Sequence, residues 1–162
     1  MDVVIRRALP ADARALTRVA HAAKRYWKYP EDWIRRWRDA LTVTRRFVEH
    51  HPVYCTVHGA RVLGFYALSG VGPTRELEHF WVAPEQIGRG VGARMFEHAV
   101  ATLQADDARV FRIASDPYAE GFYLRMGARR VGQWPSTPRG RTLPLLELAV
   151  GPRDAGVSDL RH

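Results

Sequence analysis

One stretch in the middle of the chain restricts the fold more than any other. Glu76-Leu77-Glu78-His79-Phe80-Trp81-Val82 alternates as a strand does and stops at Ala83-Pro84. Gly88, Gly90 and Gly92 then stand at every second position. Beyond them Val91, Met95, Ala99 and Leu103 recur every four residues, which predicts an amphipathic helix from Val91 to Leu103. Strand, glycine turn and helix in direct succession bring bare backbone N–H groups to the positive end of a helix, a geometry suited to a pyrophosphate. A structural turn explains the glycines equally well until the surroundings are considered.

Two nucleotide-binding readings fail on that context. A dinucleotide fold puts such a turn after its first strand, with an acidic residue about 20 positions on, at the end of the next strand. Here the turn lies past the middle of the chain, and Asp106 and Asp107 precede the next strand instead of ending it. The Gly-Lys-Ser/Thr of a P-loop is absent.

The flanking segments extend the pattern. Val3 to Arg7 predicts a strand, and Leu16, Val19, Ala20 and Ala23 recur at helical spacing after Leu9-Pro10. Pro30, with Glu31 and Asp32 in the first turn, starts a helix carrying Trp33, Ile34, Trp37 and Leu41 on one face. Val53–Val57 and Val62–Leu68 read as a hairpin across His58–Arg61. Arg109–Ala114 reads as a strand, Pro117–Met126 as a helix closed by Gly127 at C′, Ala128–Trp134 as a strand, and Thr142–Val150 as the last one. The class is α/β of the α+β type, a mixed and mostly antiparallel sheet of about seven strands flanked by about four helices. At 162 residues we expect one domain over 1–150 and a weakly ordered tail over 151–162.

Composition narrows the function classes. Apolar content of 46% with 26% charged residues is that of a soluble globular protein, and no apolar run approaches the roughly 20 residues of a membrane span. The N-terminus lacks a secretory pattern, so a cytoplasmic location is expected. Cys55 is the single cysteine and reads as a small core residue, which excludes an internal disulfide and a thiolate metal cluster; no metal is expected. The net charge of +8 invites a nucleic-acid reading, but the arginines are scattered, no Lys/Arg run exceeds two residues, and Lys24 and Lys28 are the only lysines. Solvated faces are the expectation, with no nucleic acid or membrane as partner.

Two motifs together carry a resemblance. Val82-Ala83-Pro84-Glu85-Gln86-Ile87-Gly88-Arg89-Gly90-Val91-Gly92 follows the order of a strand ending in Val, a Pro link, and Arg/Gln-x-x-Gly-x-Gly/Ala opening a helix. Ala119-Glu120-Gly121-Phe122-Tyr123-Leu124-Arg125-Met126-Gly127-Ala128 follows Ala-x-x-Phe-Tyr-x-x-x-Gly-Ala/Phe. Both resemble the GNAT superfamily of Gcn5-related N-acetyltransferases, and the order of the other elements is similar across nearly the whole chain. Ile87 stands where the family has Arg or Gln, leaving Gln86 one place early, and Tyr118 stands where many relatives have Asn.

The resemblance implies an acetyl-CoA-dependent N-acetyltransferase acting on a primary amine of a small molecule or peptide, by direct attack in a ternary complex, as a monomer or a homodimer. The cofactor residues it implies are Trp81, Val82, the turn Ile87, Gly88, Arg89, Gly90, Val91, Gly92 and Ala93, and then Asp116, Tyr118, Ala119, Phe122 and Tyr123. Tyr123 matches the family's acid, since a phenol can protonate a thiolate of comparable basicity. Glu78 is preferred as the base. Strand alternation puts it on one face with Glu76 and His79 on the other, and a solvated strand edge explains the glutamates equally well. Tyr26, Trp27, Tyr29, Glu76 and His79 are the acceptor-side candidates, with core packing the alternative for the aromatics. A non-catalytic acyl-CoA-binding sensor is the competing function, because the base is the least defined group.

Overall fold

The computed structural model describes residues 2–151, so all of the expected tail except Gly151 lies outside the described residues. Seven strands form one sheet: β1 (Val4–Arg7), β2 (Val53–His58), β3 (Arg61–Ser69), β4 (Thr74–Val82), β5 (Val110–Ala114), β6 (Arg129–Pro135) and β7 (Thr142–Ala149). Their order is β1-β2-β3-β4-β5-β7-β6, antiparallel throughout except for the parallel β4–β5 pair.

Helices cover both faces. On one side lie α1 (Ala13–Tyr26), α2 (Glu31–Arg36), α3 (Arg38–Leu41) and α4 (Arg45–His50), which bury Leu16, Ile34, Leu41 and Val48 against Cys55 and Phe65 of the sheet. On the other lie α5 (Val91–Ala105) and α6 (Glu120–Arg125), whose Met95, Phe96 and Tyr123 pack on Tyr66, Phe111 and Leu146. Each face of the sheet therefore has its own apolar layer, and α5 buries Val91, Met95, Ala99 and Leu103 as its four-residue period requires. Among the described residues no helix is long and apolar enough to cross a membrane.

Three local expectations need correction. The helix predicted from Pro30 to Leu41 is broken at Trp37 (φ −89°, ψ 3°), because Trp37 turns its indole N–H to the Thr137 carbonyl (2.9 Å). The short helix α4 was not expected; its start is marked by Thr44, whose hydroxyl accepts from the Phe47 amide at 3.0 Å. The helix predicted over Pro117–Met126 is divided into a 3-10 turn (Pro117–Ala119) and α6, since the Asp116 carboxylate accepts from the Tyr118 amide and tightens the first turn. Gly127 does close α6: with φ +104°, its amide bonds the Leu124 carbonyl and that of Ala128 bonds the Tyr123 carbonyl.

Candidate active site

The parallel β4–β5 ladder is short. It pairs Thr74 with Val110, Arg75 with Phe111 and Glu76 with Arg112, and then the strands diverge. β4 continues to Val82 paired with β3 alone, while β5 ends at Ala114, leaving a gap between β4 and β5. A cavity of about 620 Å³ opens there, bounded by β4, the glycine turn, the start of α5, α6 and the residues after β5.

Backbone direction decides which peptide groups face this gap. Ala83 donates its amide to the Leu63 carbonyl (2.9 Å), and the Trp81 carbonyl approaches Gly64, so these peptides point at β3. Alternation turns the N–H groups of Phe80 and Val82 the other way, into the gap that β5 has vacated. Val82, and not Trp81, therefore offers its amide to the cavity.

At the far end, Gly88 and Gly90 both have φ +83°, a conformation open to glycine at little cost, and a Cβ at either would meet nothing within 4 Å. Gly90 is the residue preceding α5, and no side chain caps that helix. The amides of Val91, Gly92 and Ala93 consequently lack an acceptor among the described residues, and they point outward at the positive end of a 15-residue helix. The turn itself is held by Ile87 bonding the Pro84 carbonyl and Arg89 bonding that of Gln86.

Tyr123 forms part of the cavity wall and is 5% exposed. Its hydroxyl makes no hydrogen bond among the described residues. Burial drives its pKa well above the ordinary phenol value, and the Asp116 charge adds to that, so it stays protonated. Phe80 and Phe96 flank the ring at 5.7 and 5.9 Å.

A bulge changes the β4 pattern at its centre. Leu77 faces Leu68 and His79 faces Ala67, so Glu78 is an extra residue in β4. The extra residue reverses the alternation beyond it. His79 consequently shares the face of Glu76, which corrects the expectation that it lies opposite. Glu78 is exposed at the cavity edge, with its carboxylate accepting from Ser69 Oγ at 2.5 Å.

His79 Nδ1 accepts from the indole N–H of Trp81 at 3.0 Å. Indole only donates, so the neutral imidazole carries its proton on Nε2. Burial holds its pKa down to about 4, against the pull of Glu78, and the ring remains neutral.

All the cofactor candidates except Arg89 border the cavity, as do Glu78, Trp27 and His79. Tyr26, Tyr29 and Glu76 do not. Tyr26 is 46% exposed outside it, and Glu76 lies in the paired part of β4. Tyr29 turns its hydroxyl to the Asp116 carboxylate (2.9 Å), which also receives Lys24 at 2.6 Å. That carboxylate is thus engaged within the protein. The stacked Trp27–Tyr118 pair, 5.1 Å apart and 7° from parallel, forms the wall beside it. Several wall residues were not anticipated, Gln86 and Arg125 among them. Gln86 is 5% exposed with its Oε1 unpartnered, and the displaced polar residue next to Ile87 was its signal.

The Acetyltransferase (GNAT) family matches residues 16–128, a span that contains the glycine turn, the splayed strands and α6. The chain belongs to the GNAT acetyltransferase family. GNAT proteins of known structure share its fold. The PaiA N-acetyltransferase of Thermoplasma acidophilum, solved in complex with coenzyme A, is 16% identical with a TM-score of 0.76, covering 92% of this chain and 99% of its own. The ribosomal-protein-S18-alanine N-acetyltransferase of Escherichia coli is 15% identical with a TM-score of 0.70, over 95% and 97%. YncA of Salmonella typhimurium, solved with its cofactor acetyl-CoA, is 19% identical with a TM-score of 0.67, over 96% and 98%. No curated protein matches the sequence. At these identities the GNAT likeness concerns the fold.

Proposed function

We propose that this GNAT protein transfers the acetyl group of acetyl-CoA to a primary amine of a small molecule or peptide, by direct attack in a ternary complex. The observation that carries the reading is the gap beyond Glu76–Arg112, with unpartnered helix amides at one end and the Val82 amide and Tyr123 hydroxyl within it.

The residues present fit the cofactor. Open space over Gly88 and Gly90, the free amides of Val91 to Ala93 and the orphaned Gln86 Oε1 together suit a ligand with a phosphate end and an amide-bearing arm. When bound, acetyl-CoA supplies the activated thioester carbon. The α5 amides hold its pyrophosphate, and backbone contacts there compensate for Ile87, whose side chain offers no polar group. Val82 N–H is placed to donate to the developing oxyanion. Tyr123, kept protonated by burial, delivers a proton to the leaving thiolate.

For the base, Glu78 is favoured over His79. The Nδ1 lone pair of His79 is occupied by Trp81 and its Nε2 carries a hydrogen, so neither nitrogen accepts a proton without breaking that bond. Glu78 presents a carboxylate at the cavity edge, oriented by Ser69, and takes the ammonium proton directly or through water. Trp27 with Tyr118 walls the acceptor side.

The test is thiol release from acetyl-CoA across a panel of amines. Amine-dependent release supports the enzyme. Stabilisation by CoA without release from any amine identifies the acyl-CoA sensor, and neither stabilisation nor release rejects both.

A further inference from the structure

Behind the cavity wall lies a buried group of charges that the acetyl-transfer chemistry leaves unused. Lys24 of α1 and Arg141, just before β7, converge on one carboxylate, Asp116, at 2.6 and 3.6 Å. All three side chains are close to nine-tenths buried, at 9%, 10% and 11% exposure. Among the described residues no second acid pairs with either cation, so the group carries one surplus positive charge.

Its other partners are neutral. Arg141 donates to Tyr29 Oη and to Ser136 Oγ, both at 3.1 Å. Lys24 Nζ lies over the Trp37 ring at 4.2 Å, and the Arg141 guanidinium lies 4.6 Å from the same ring. Aromatic faces soften a buried cation but do not neutralise it. Desolvation lowers the pKa of Lys24 despite the adjacent carboxylate, and Arg141 acts in the same direction, as expected where cations outnumber anions. A buried charge without a counter-charge is costly, and a second carboxylate or an apolar replacement would be the stable structural solution.

The position of the group suggests what balances it. Asp116 itself borders the cavity, as do Ala23 and Trp27, the neighbours of Lys24 along α1. Trp81, another wall residue, is 5.9 Å from Lys24 Nζ by its ring centroid. The same cavity also carries Glu78, on its β4 edge. The cavity thus has an acid at the edge of β4, and a cation surplus stands directly behind its α1 wall, where Lys24 and Arg141 meet the wall residue Asp116.

We infer that Lys24 and Arg141 receive an anionic group of the acceptor, so the amine that is acetylated also bears a carboxylate or a phosphate, as an amino acid or an amine phosphate ester does. Glu78 attends the amine end and the cation pair attends the acid end. A plain polyamine meets the surplus charge unfavourably. The inference rests on the cavity being the acetyl-transfer site.

Thiol release from acetyl-CoA is measured with standard amino acids, each beside its methyl ester and its decarboxylated amine, and with O-phosphoethanolamine beside ethanolamine. The two sets separate carboxylate from phosphate recognition. Within each reacting pair the acid-bearing member should have the higher kcat/KM, through a lower KM. In Arg141→Gln that preference should shrink about tenfold or more, the loss of one charge-assisted contact, and Arg141→Lys should restore part of it. Comparing the same pair in both proteins cancels the intrinsic reactivity of each amine. Turnover confined to acid-free amines, or an undiminished preference in a folded Arg141→Gln, overturns the inference. If Arg141→Gln does not fold, the paired comparison in the native protein decides alone. A rise in melting temperature with CoA, together with turnover of acid-free amines only, removes this inference and leaves the transferase reading standing; absence of both removes the two together.

Discussion

Gly64→Ala is the substitution whose outcome follows most closely from the geometry. Gly64 lies in β3 opposite Val82, and a Cβ there would stand 2.7 Å from Met95 Sδ and 2.8 Å from the Trp81 carbonyl. Met95 is fully buried, and the carbonyl belongs to the strand that borders the cavity, so neither yields freely. Overpacking of this kind costs about 1–3 kcal/mol, and the lower entropy of the unfolded alanine chain offsets about 0.4–1 kcal/mol of it. The net loss is about 0.6–2 kcal/mol, a fall in Tm of roughly 1–8 °C for a chain of this size. Pushing the Trp81–Val82 peptide also displaces the amide assigned to the oxyanion, so thiol release should slow beyond what the stability loss explains. Gly92→Ala is the control. Its Cβ would meet Phe122 at 3.5 Å and Val82 at 3.7 Å, ordinary contacts, and alanine favours the helix. Thermal melting of the two variants decides: a Gly64→Ala protein as stable as the native one, or a Gly92→Ala protein less stable than Gly64→Ala, refutes the reasoning.

Other outcomes follow from the same site. Tyr123→Phe should lower thiol release about 100-fold or more while acetyl-CoA affinity is retained, as removal of a general acid does; unchanged turnover excludes Tyr123 from that role. Glu78→Gln should lower kcat/KM, with part of the loss recovered at high pH where the free amine is abundant, and a pH-independent loss would point to a binding role instead. His79 holds its pKa near 4 in the fold against about 6.5 unfolded, so between those values the unfolded chain binds more protons and stability falls as pH falls. From about pH 7.5 to about pH 5 the loss from this residue is about 2 kcal/mol in urea unfolding, and His79→Asn should flatten that slope. An equal slope in the variant contradicts the assignment.

Much of the fold was legible because its signals are local. The four-residue period of α5, the strand before it and Gly127 closing α6 each express one short-range rule, and each stands where the sequence placed it. The two motifs supply the part of the cavity wall formed by the glycine turn and α6, for the same reason. What escaped depends on partners distant in the chain. The Glu78 bulge falls where two polar residues, Glu78 and His79, stand in succession, and only the β3 register reveals the change of face at His79. Trp37 ends α2 because Thr137 takes its indole N–H, a contact across 100 residues. Lys24 and Asp116 are 92 residues apart, and nothing local to either predicts their meeting. Thr44 is the exception: its capping of α4 could have been read from Thr44 followed by Arg45, Arg46 and Phe47.

Calorimetric titration of acetyl-CoA into the native chain and into Gly90→Arg tests the central claim most directly, that the gap between β4 and β5 holds this thioester with its phosphates on the α5 amides. A Cβ at position 90 has open space around it, so the arginine fills the cradle at the cost of a strained φ of about 1–2 kcal/mol. The account predicts one saturable site in the native protein and binding weakened at least about tenfold in a still folded Gly90→Arg. Absence of binding to the native protein, or equal binding by the two, contradicts it.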